Sequence, residues 1–288
     1  MYRTIRDSNT ELDTAGACMA LAVSKSGYYM WLSKAPAANN DMPLRDEMQK
    51  IATEFPRYGY RRITAELRRR SYAVNHKKVL RLMRQDSLLC ARRLFKPATT
   101  DSNHNLRVYP NLAKDMQVTG LNHLWVADIT YIRLETEFVY LAVIMDVFSR
   151  RCIGWELSSN IDAQLVLNAL DMALENRNGA DLSGLVHHSD QGAQYACAEY
   201  VGRLRSRGIS LSMSGKGNPY DNAFAESLIK TLKCEEVYLN EYESFSDAYR
   251  NLKRFIEDVY NVKRIHSGIG YRTPFEVEKE VGLKRTVA

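Results

Sequence analysis

Between Leu124 and Ser158 three apolar segments follow one another with little between them: "LWVADITYI" (124–132), "FVYLAVIMDVF" (138–148) and "CIGWELS" (152–158). β-branched and aromatic residues dominate all three, which predicts consecutive strands. Helix and strand patterns then alternate. "DAQLVLNALDMALENR" (162–177) is apolar on most sides and reads as a buried helix, and "GLVHHSD" (184–190) as a short strand. "AEYVGRLRSRG" (198–208) is a helix stopped by Gly208, and "ISLSMS" (209–214) is a further strand. A helix after the "GKGNPYDN" loop and a long one through "SDAYRNLKRFIEDVY" (246–260) complete the series. Strands in succession followed by alternating helices and strands predict an α/β fold with one mixed sheet covered by helices.

Upstream the pattern is helical. Residues 14–34 read as two short helices with a turn near Ser24–Gly27, and Pro36 breaks them off. Residues 44–55 make one helix and "YGYRRITAELRRR" (58–70) another, with Ile63 and Leu67 four apart. Ser71 to Val74 form a turn, and Asn75 caps "HKKVLRLMRQD". Val79, Leu82 and Met83 form the inward stripe of that helix, which leaves His76, Lys77, Lys78, Arg81 and Arg84 outside. Helix, short turn and a second helix with a basic outer face is the helix-turn-helix arrangement that enters the major groove. Arg61 and Arg62, at the start of the preceding helix, join these residues as candidate DNA contacts.

Charge supports this division. Residues 57–96 carry 13 basic and 2 acidic side chains, and residues 111–288 carry 20 basic against 24 acidic. One part is suited to a polyanion and the other concentrates carboxylates. A merely solvated basic surface is the plain alternative. The expected organisation is a helical segment over 1–40, a basic helix-turn-helix-like region over 41–96, a linker over 97–120 and an α/β core with C-terminal helices over 121–288. The longest apolar stretch, "FVYLAVIM", is far too short to span a bilayer, and no apolar leader follows Met1. Five scattered cysteines without a C-x-x-C suit a reducing cytoplasm and argue against a zinc finger.

Three carboxylates fall at unusual places. Asp128 lies inside a strand, where acids are disfavoured. Asp190 ends a strand, where ligand sites of open α/β sheets collect. Glu226 projects from a helix that follows a loop. Taken singly, each has a plain reading as an odd strand residue, a turn former and a solvated helix residue. Should they converge, a cation has to offset their repulsion, and an all-oxygen set suits Mg2+ or Mn2+. Asp146 reads as structural and Asp221 as the cap of the Glu226 helix. His187 and His188, neighbours on a strand, should face opposite sides and take hydrogen-bonded structural roles. Trp125 and Tyr131 alternate away from Asp128 and belong to the core on this reading.

Asp128, Asp190 and Glu226 are separated by 61 and 35 intervening residues. This spacing resembles the Asp-Asp-Glu core of retroviral integrases and insertion-sequence transposases. "NHLWVADITYI", "YLAVIMDVFSRRCIGW", "HHSDQGAQY", "SMSGKGNPYDNAFAESLIKTLKCE" and "HSGIGYRTP" resemble successive signatures of transposases encoded by the second of two overlapping reading frames. "SKSGYYMWL", "RYGYRRITAELRRR" and "TTDSNHNLRVYPNL" resemble the N-terminal region of that family. The resemblance implies a ribonuclease H-like fold and a catalytic triad of Asp128, Asp190 and Glu226 holding two divalent ions. It also implies cleavage and joining of the element's ends and of target DNA. About 100° per residue puts Lys230 about 40° and Lys233 about 20° from Glu226 around the helix. The family pattern supports Lys233 as a phosphate contact, with Lys230 beside it. Implied partners are the terminal inverted repeats, the upstream reading frame's product (separate or fused) and further copies of the chain on DNA. The implied location is the cytoplasm, at the nucleoid and away from membranes. A ribonuclease H-like nuclease and a non-catalytic DNA-binding regulator are the rival functions.

Overall fold

The computed structural model describes residues 2–7, 13–33, 41–89, 108–215 and 222–287. It forms two compact units, Met1–Ile51 and Ala52–Ala288. The first holds α1 (Tyr2–Asp7), α2 (Thr14–Ala20), α3 (Lys25–Ser33) and most of α4 (Met42–Glu54). Asp13 caps α2 by accepting from the Gly16 N–H at 2.7 Å. Ile5, Cys18 and Tyr28 form a small core, with Tyr2 and Trp31 against it. The helices at 14–34 match the sequence expectation; α1 has no counterpart in it.

In the second unit α5 (Tyr60–Arg69) and α6 (His76–Gln85) form the basic helix pair. Asn75 caps α6 as expected, its Oδ1 accepting from the Lys77 N–H at 2.8 Å. Val79, Leu82 and Met83 are buried, as are Ile63 and Leu67 of α5. The pair is fastened to the remainder of its unit. The Ile265 N–H donates to the Tyr58 hydroxyl at 3.0 Å, and Arg69 makes a two-pronged bond to Glu276 at 2.6 and 3.1 Å. Of the stretch expected as a linker, residues 97–107 lie outside the described residues. Further on, the Leu112 N–H bonds Ser212 Oγ at 2.8 Å, and Ala113, Met116 and Val118 pack against the core.

Five strands follow as one sheet in the order β3-β2-β1-β4-β5. β1 (Leu124–Arg133), β2 (Phe138–Asp146) and β3 (Cys152–Ser158) pair antiparallel. β4 (Val186–Ser189) and β5 (Ser210–Met213) add in parallel beyond β1. Between them run α7 (Ala163–Glu175), the short α8 (Ala193–Ala196) and α9 (Ala198–Ser206). Gly208, at φ +71°, supplies the left-handed residue that ends α9 and turns the chain into β5. After β5 come α10 (Ala223–Glu235), α11 (Phe245–Arg254) and α12 (Pro274–Val287).

Alternation along the strands builds two cores. Leu124, Val126 and Ile132 face α10 and α11; Trp125 and Ala127 face α7 and α9. α7 approaches β3 closely because Gly154 lacks a side chain: a Cβ there would lie 2.1 Å from the Ala169 carbonyl oxygen. The helix expected through 260 changes character at Phe255, where Phe255–Tyr260 widens into a π-helical turn. That turn buries Phe255, Ile256 and Tyr260 and delivers Asn261 to the start of β3. There its amide accepts from the Cys152 N–H at 3.0 Å and donates to the Cys152 carbonyl at 2.9 Å.

Asp146 has the structural role expected of it. It is fully buried and accepts from the backbone N–H groups of Asn122 (2.8 Å) and Phe148 (2.9 Å), with Arg177 at 3.6 Å. Arg177 also binds Glu278 of α12, which accepts from Ser149 Oγ at 2.8 Å and Arg151 at 2.7 Å. Burial works against the Glu278 charge, but Arg177 and Arg151 hold its carboxyl below the usual range.

Candidate active site

β1 pairs with β4 only over Leu124–Val126. From Ala127 onward this edge of β1 has no strand partner among the described residues, and the start of α10 reaches it: Asn222 Nδ2 donates to the Ala127 carbonyl at 3.1 Å. Asp128 comes next, half-buried, with Oδ1 accepting from the Ile129 N–H at 2.9 Å. Asp190 directly follows the end of β4, and its Oδ1 accepts from the Gly192 N–H at 3.0 Å in the tight turn beyond. Glu226 is exposed in the first turn of α10. Lys233, two turns on, lays its ammonium 4.4 Å from the centre of the Tyr131 ring.

These groups share one electrostatic field. Burial pushes the Asp128 carboxyl up to about 8, the negative charges of Asp190 and Glu226 add to this, and the Ile129 N–H and Lys233 oppose it. Burial also lowers Lys233 against the pull of Asp128. Among the described residues no three His, Cys, Asp or Glu side chains are arranged to hold a metal ion. Asp190 spends an oxygen on the Gly192 N–H. The donor chemistry nevertheless fits a hard divalent cation: the oxygens are carboxylate oxygens, and those of Asp128 are half-buried. A further buried oxygen, Asn222 Oδ1, accepts no hydrogen bond from a described residue.

Several expected residues take other positions. Asp221 lies outside the described residues; Asn222 stands at the N-cap of α10 without making a capping bond, because its amide goes to Ala127. Tyr131 is a correction. It is 37% exposed beneath Lys233 rather than in the core, whereas Trp125 is fully buried. The free edge of β1 explains the difference, since no β4 residue covers Tyr131. Both histidines are buried and hydrogen-bonded. His187 Nε2 pairs with the Tyr200 hydroxyl at 3.0 Å, and His188 with Ser212 (2.8 Å) and Ser214 (3.1 Å). Lys230 is exposed on α10.

The basic candidates divide. Lys77, Lys78, Arg81 and Arg84 are exposed on α6, and Arg61 is exposed on α5. Arg62 is half-buried, 3.7 Å from Glu235 and 5.5 Å over the Tyr58 ring. Sequence reasoning did not single out Asn222. Its one visible signal was an amide at the entrance of the helix that carries Glu226.

Known families match in the same places. The integrase core domain matches residues 119–219, a second integrase core profile matches 207–274, and an HTH-like domain matches 39–95. Sheet order, flanking helices and these matches define a protein of the integrase-core class, with the ribonuclease H-like fold expected. Transposase InsF for insertion sequence IS3A of Escherichia coli (strain K12) is 34% identical over 286 residues, covering 97% of this chain and 98% of that one. An uncharacterized 31 kDa protein of insertion element IS600 from Shigella sonnei is 36% identical, covering 89% and 95%. The transposase of insertion sequence element IS904 from Lactococcus lactis subsp. lactis is 38% identical, covering 77% and 88%. Among solved structures, a chain of the simian T-cell lymphotropic virus intasome covers 80% of this chain and 73% of its own length, at 16% identity and a TM-score of 0.45. The chain belongs to the IS3-type insertion-sequence transposases, DNA-transposing enzymes of the polynucleotidyl-transferase class. Among the described residues no helix is long and apolar enough to cross a membrane.

Proposed function

We propose that this chain cuts the terminal inverted repeats of its own insertion sequence and joins the freed 3′ ends to target DNA, with Asp128, Asp190 and Glu226 as its catalytic carboxylates. The observation that carries this reading is that Asp128 and Asp190 stand where β1 and β4 part, beside the start of the helix that carries Glu226. On this reading the three carboxylates hold Mg2+ or Mn2+, two ions, with Asn222 Oδ1 close by. Such ions supply activation of a water or 3′-hydroxyl and stabilisation of the leaving oxygen. Lys233 holds a phosphate of the strand being cut, and Lys230 assists from the same face. Lys77, Lys78, Arg81, Arg84 and Arg61 grip the duplex through its backbone and major groove. The working complex contains further copies of the chain and the product of the upstream reading frame, at the nucleoid in the cytoplasm.

An oligonucleotide assay on the full chain tests this. With Mg2+ and an end-containing duplex, cleavage followed by joining is expected, and EDTA should stop both. Cleavage without joining would indicate a nuclease, and binding without cleavage a regulator.

Lys233→Ala is expected to slow cleavage by roughly one to two orders of magnitude, as for a lost charge-assisted hydrogen bond. Its contact with Tyr131 contributes only about 0.5–1 kcal/mol to the fold. Lys233→Arg should retain part of the rate, because the charge stays while the shape of the donor changes. Single-turnover rates at low and moderate salt provide the check, and an Ala variant as fast as the parent would remove Lys233 from the site.

A further inference from the structure

Another face of α10 borders a cavity. Ser227, Thr231 and Phe224 lie about 100°, 140° and 160° around the helix from Glu226. They form one wall of a cavity of about 230 Å3, closed on other sides by the β2–β3 turn and residues 264–268. Three guanidinium groups line it, those of Arg62, Arg150 and Arg264, and among the described residues one carboxylate is paired with them. That carboxylate, Glu235, is spoken for: Arg264 donates to it through Nε and Nη2, both at 2.7 Å, and Arg62 approaches it at 3.7 Å. His266 adds no charge, since burial and the three arginines push it down to about 2.

Arg150 is left over. It is half-buried, stacked 4.2 Å from the centre of the Phe224 ring, and among the described residues its guanidinium has no carboxylate and no hydrogen-bond acceptor. Burial lowers its pKa, opposed only by Tyr260. It also stands at φ +63°, a turn position that glycine or asparagine fills at less cost. A desolvated cation in a polar cavity, held by an unfavourable backbone and unmatched within the fold, is arranged for an anion from outside. The Ser227 hydroxyl, on the same wall, also makes no hydrogen bond among the described residues.

We propose that this cavity binds a phosphodiester of DNA through Arg150 and Ser227, so that α10 separates two backbone contacts: the phosphate to be cut on the Glu226 face, and an uncut one behind. A helix with its side chains is on the order of 10 Å thick. That matches about three nucleotides of rise at 3.4 Å each. The choice of DNA as the source of the phosphate rests on the function proposed above.

The test is binding of an end-containing duplex to the full chain in EDTA, across a salt series, so that no cleavage is needed. Arg150→Ala should weaken binding about fivefold to tenfold at moderate salt and make the log–log salt slope shallower by about 0.9, one phosphate's share. Arg150→Lys should restore the slope and part of the affinity. Thr231→Glu, which supplies an internal counter-charge, should weaken binding as Arg150→Ala does while leaving the melting midpoint unchanged or higher. Unchanged affinity and slope in Arg150→Ala, a fall in its midpoint matching the loss of binding, or parental binding by Thr231→Glu would each overturn the proposal. Pyrophosphate that protects the parent but not Arg150→Ala, with equal DNA binding by both, would overturn DNA in favour of a free phosphate. Failure of the parent to cleave would count against the catalytic reading alone, because these readouts do not involve cleavage.

Discussion

Glu226→Gln is expected to abolish cleavage and joining while DNA affinity stays within about threefold, because binding is carried mainly by the basic residues. The amide keeps the shape of the side chain and removes its charge. The substitution should spare the fold, since Glu226 is exposed and makes no hydrogen bond or ion pair in the described structure. It should even relieve Asp128 of one of the two negative charges that raise it. Without a divalent ion the variant should therefore melt no lower than the parent. Single-turnover cleavage with Mg2+ on an end-containing duplex is the measurement. A parental rate would remove Glu226 from the catalytic set, and a midpoint several degrees lower would mean that the side chain supports the fold.

Gly154→Ala should have the largest effect on stability. The new methyl would sit 2.1 Å from the Ala169 carbonyl oxygen and 2.9 Å from Ala173 Cβ. Backbone cannot swing aside as a side-chain tip can, so α7 has to lift from β3. Overpacking of this kind costs about 3 kcal/mol or more, a large part of the ~5–15 kcal/mol that holds a domain together. At about 2–4 °C per kcal/mol, the midpoint should fall by roughly 6–12 °C. Gly202→Ala is the control. It lies in α9 with nothing within 4 Å of an added Cβ, and there alanine should stabilise by about 0.5–1 kcal/mol. Equal midpoints for the two variants would show that α7 yields at no cost.

The strands and most helices were legible because their signals are local. β-branched runs marked β1 to β3, Asn75 announced α6, and Gly208 announced the end of α9. Spacing and family pattern singled out the three carboxylates as candidates, while the charges that Asp190 and Glu226 set on Asp128 required the geometry of β1 and β4. The arginines were the hardest to read. Arg62 sits in the same basic run as Arg61, and only tertiary packing turns it toward Glu235. Arg150 looks like a turn residue in "FSRR" until Phe224 and the 264–268 segment arrive from far along the chain. Tyr131 was misplaced because alternation tells which face of the sheet a side chain takes and not whether that face is covered at that point of the strand.

The Glu278 network has a consequence for synthesis. Its contacts with Ser149, Arg151 and Arg177 span 129, 127 and 101 residues of chain. Contacts of such long range form late. On the ribosome, the sheet and α7 emerge well before α12, and during that interval Asp146 is the one acidic partner of Arg177 among the described residues. The nascent core therefore waits with a buried positive group half-matched until α12, made after every strand of the sheet, arrives as the closing latch. Translation speed between β5 and α12 becomes a determinant of how much chain reaches the assembled state before it aggregates.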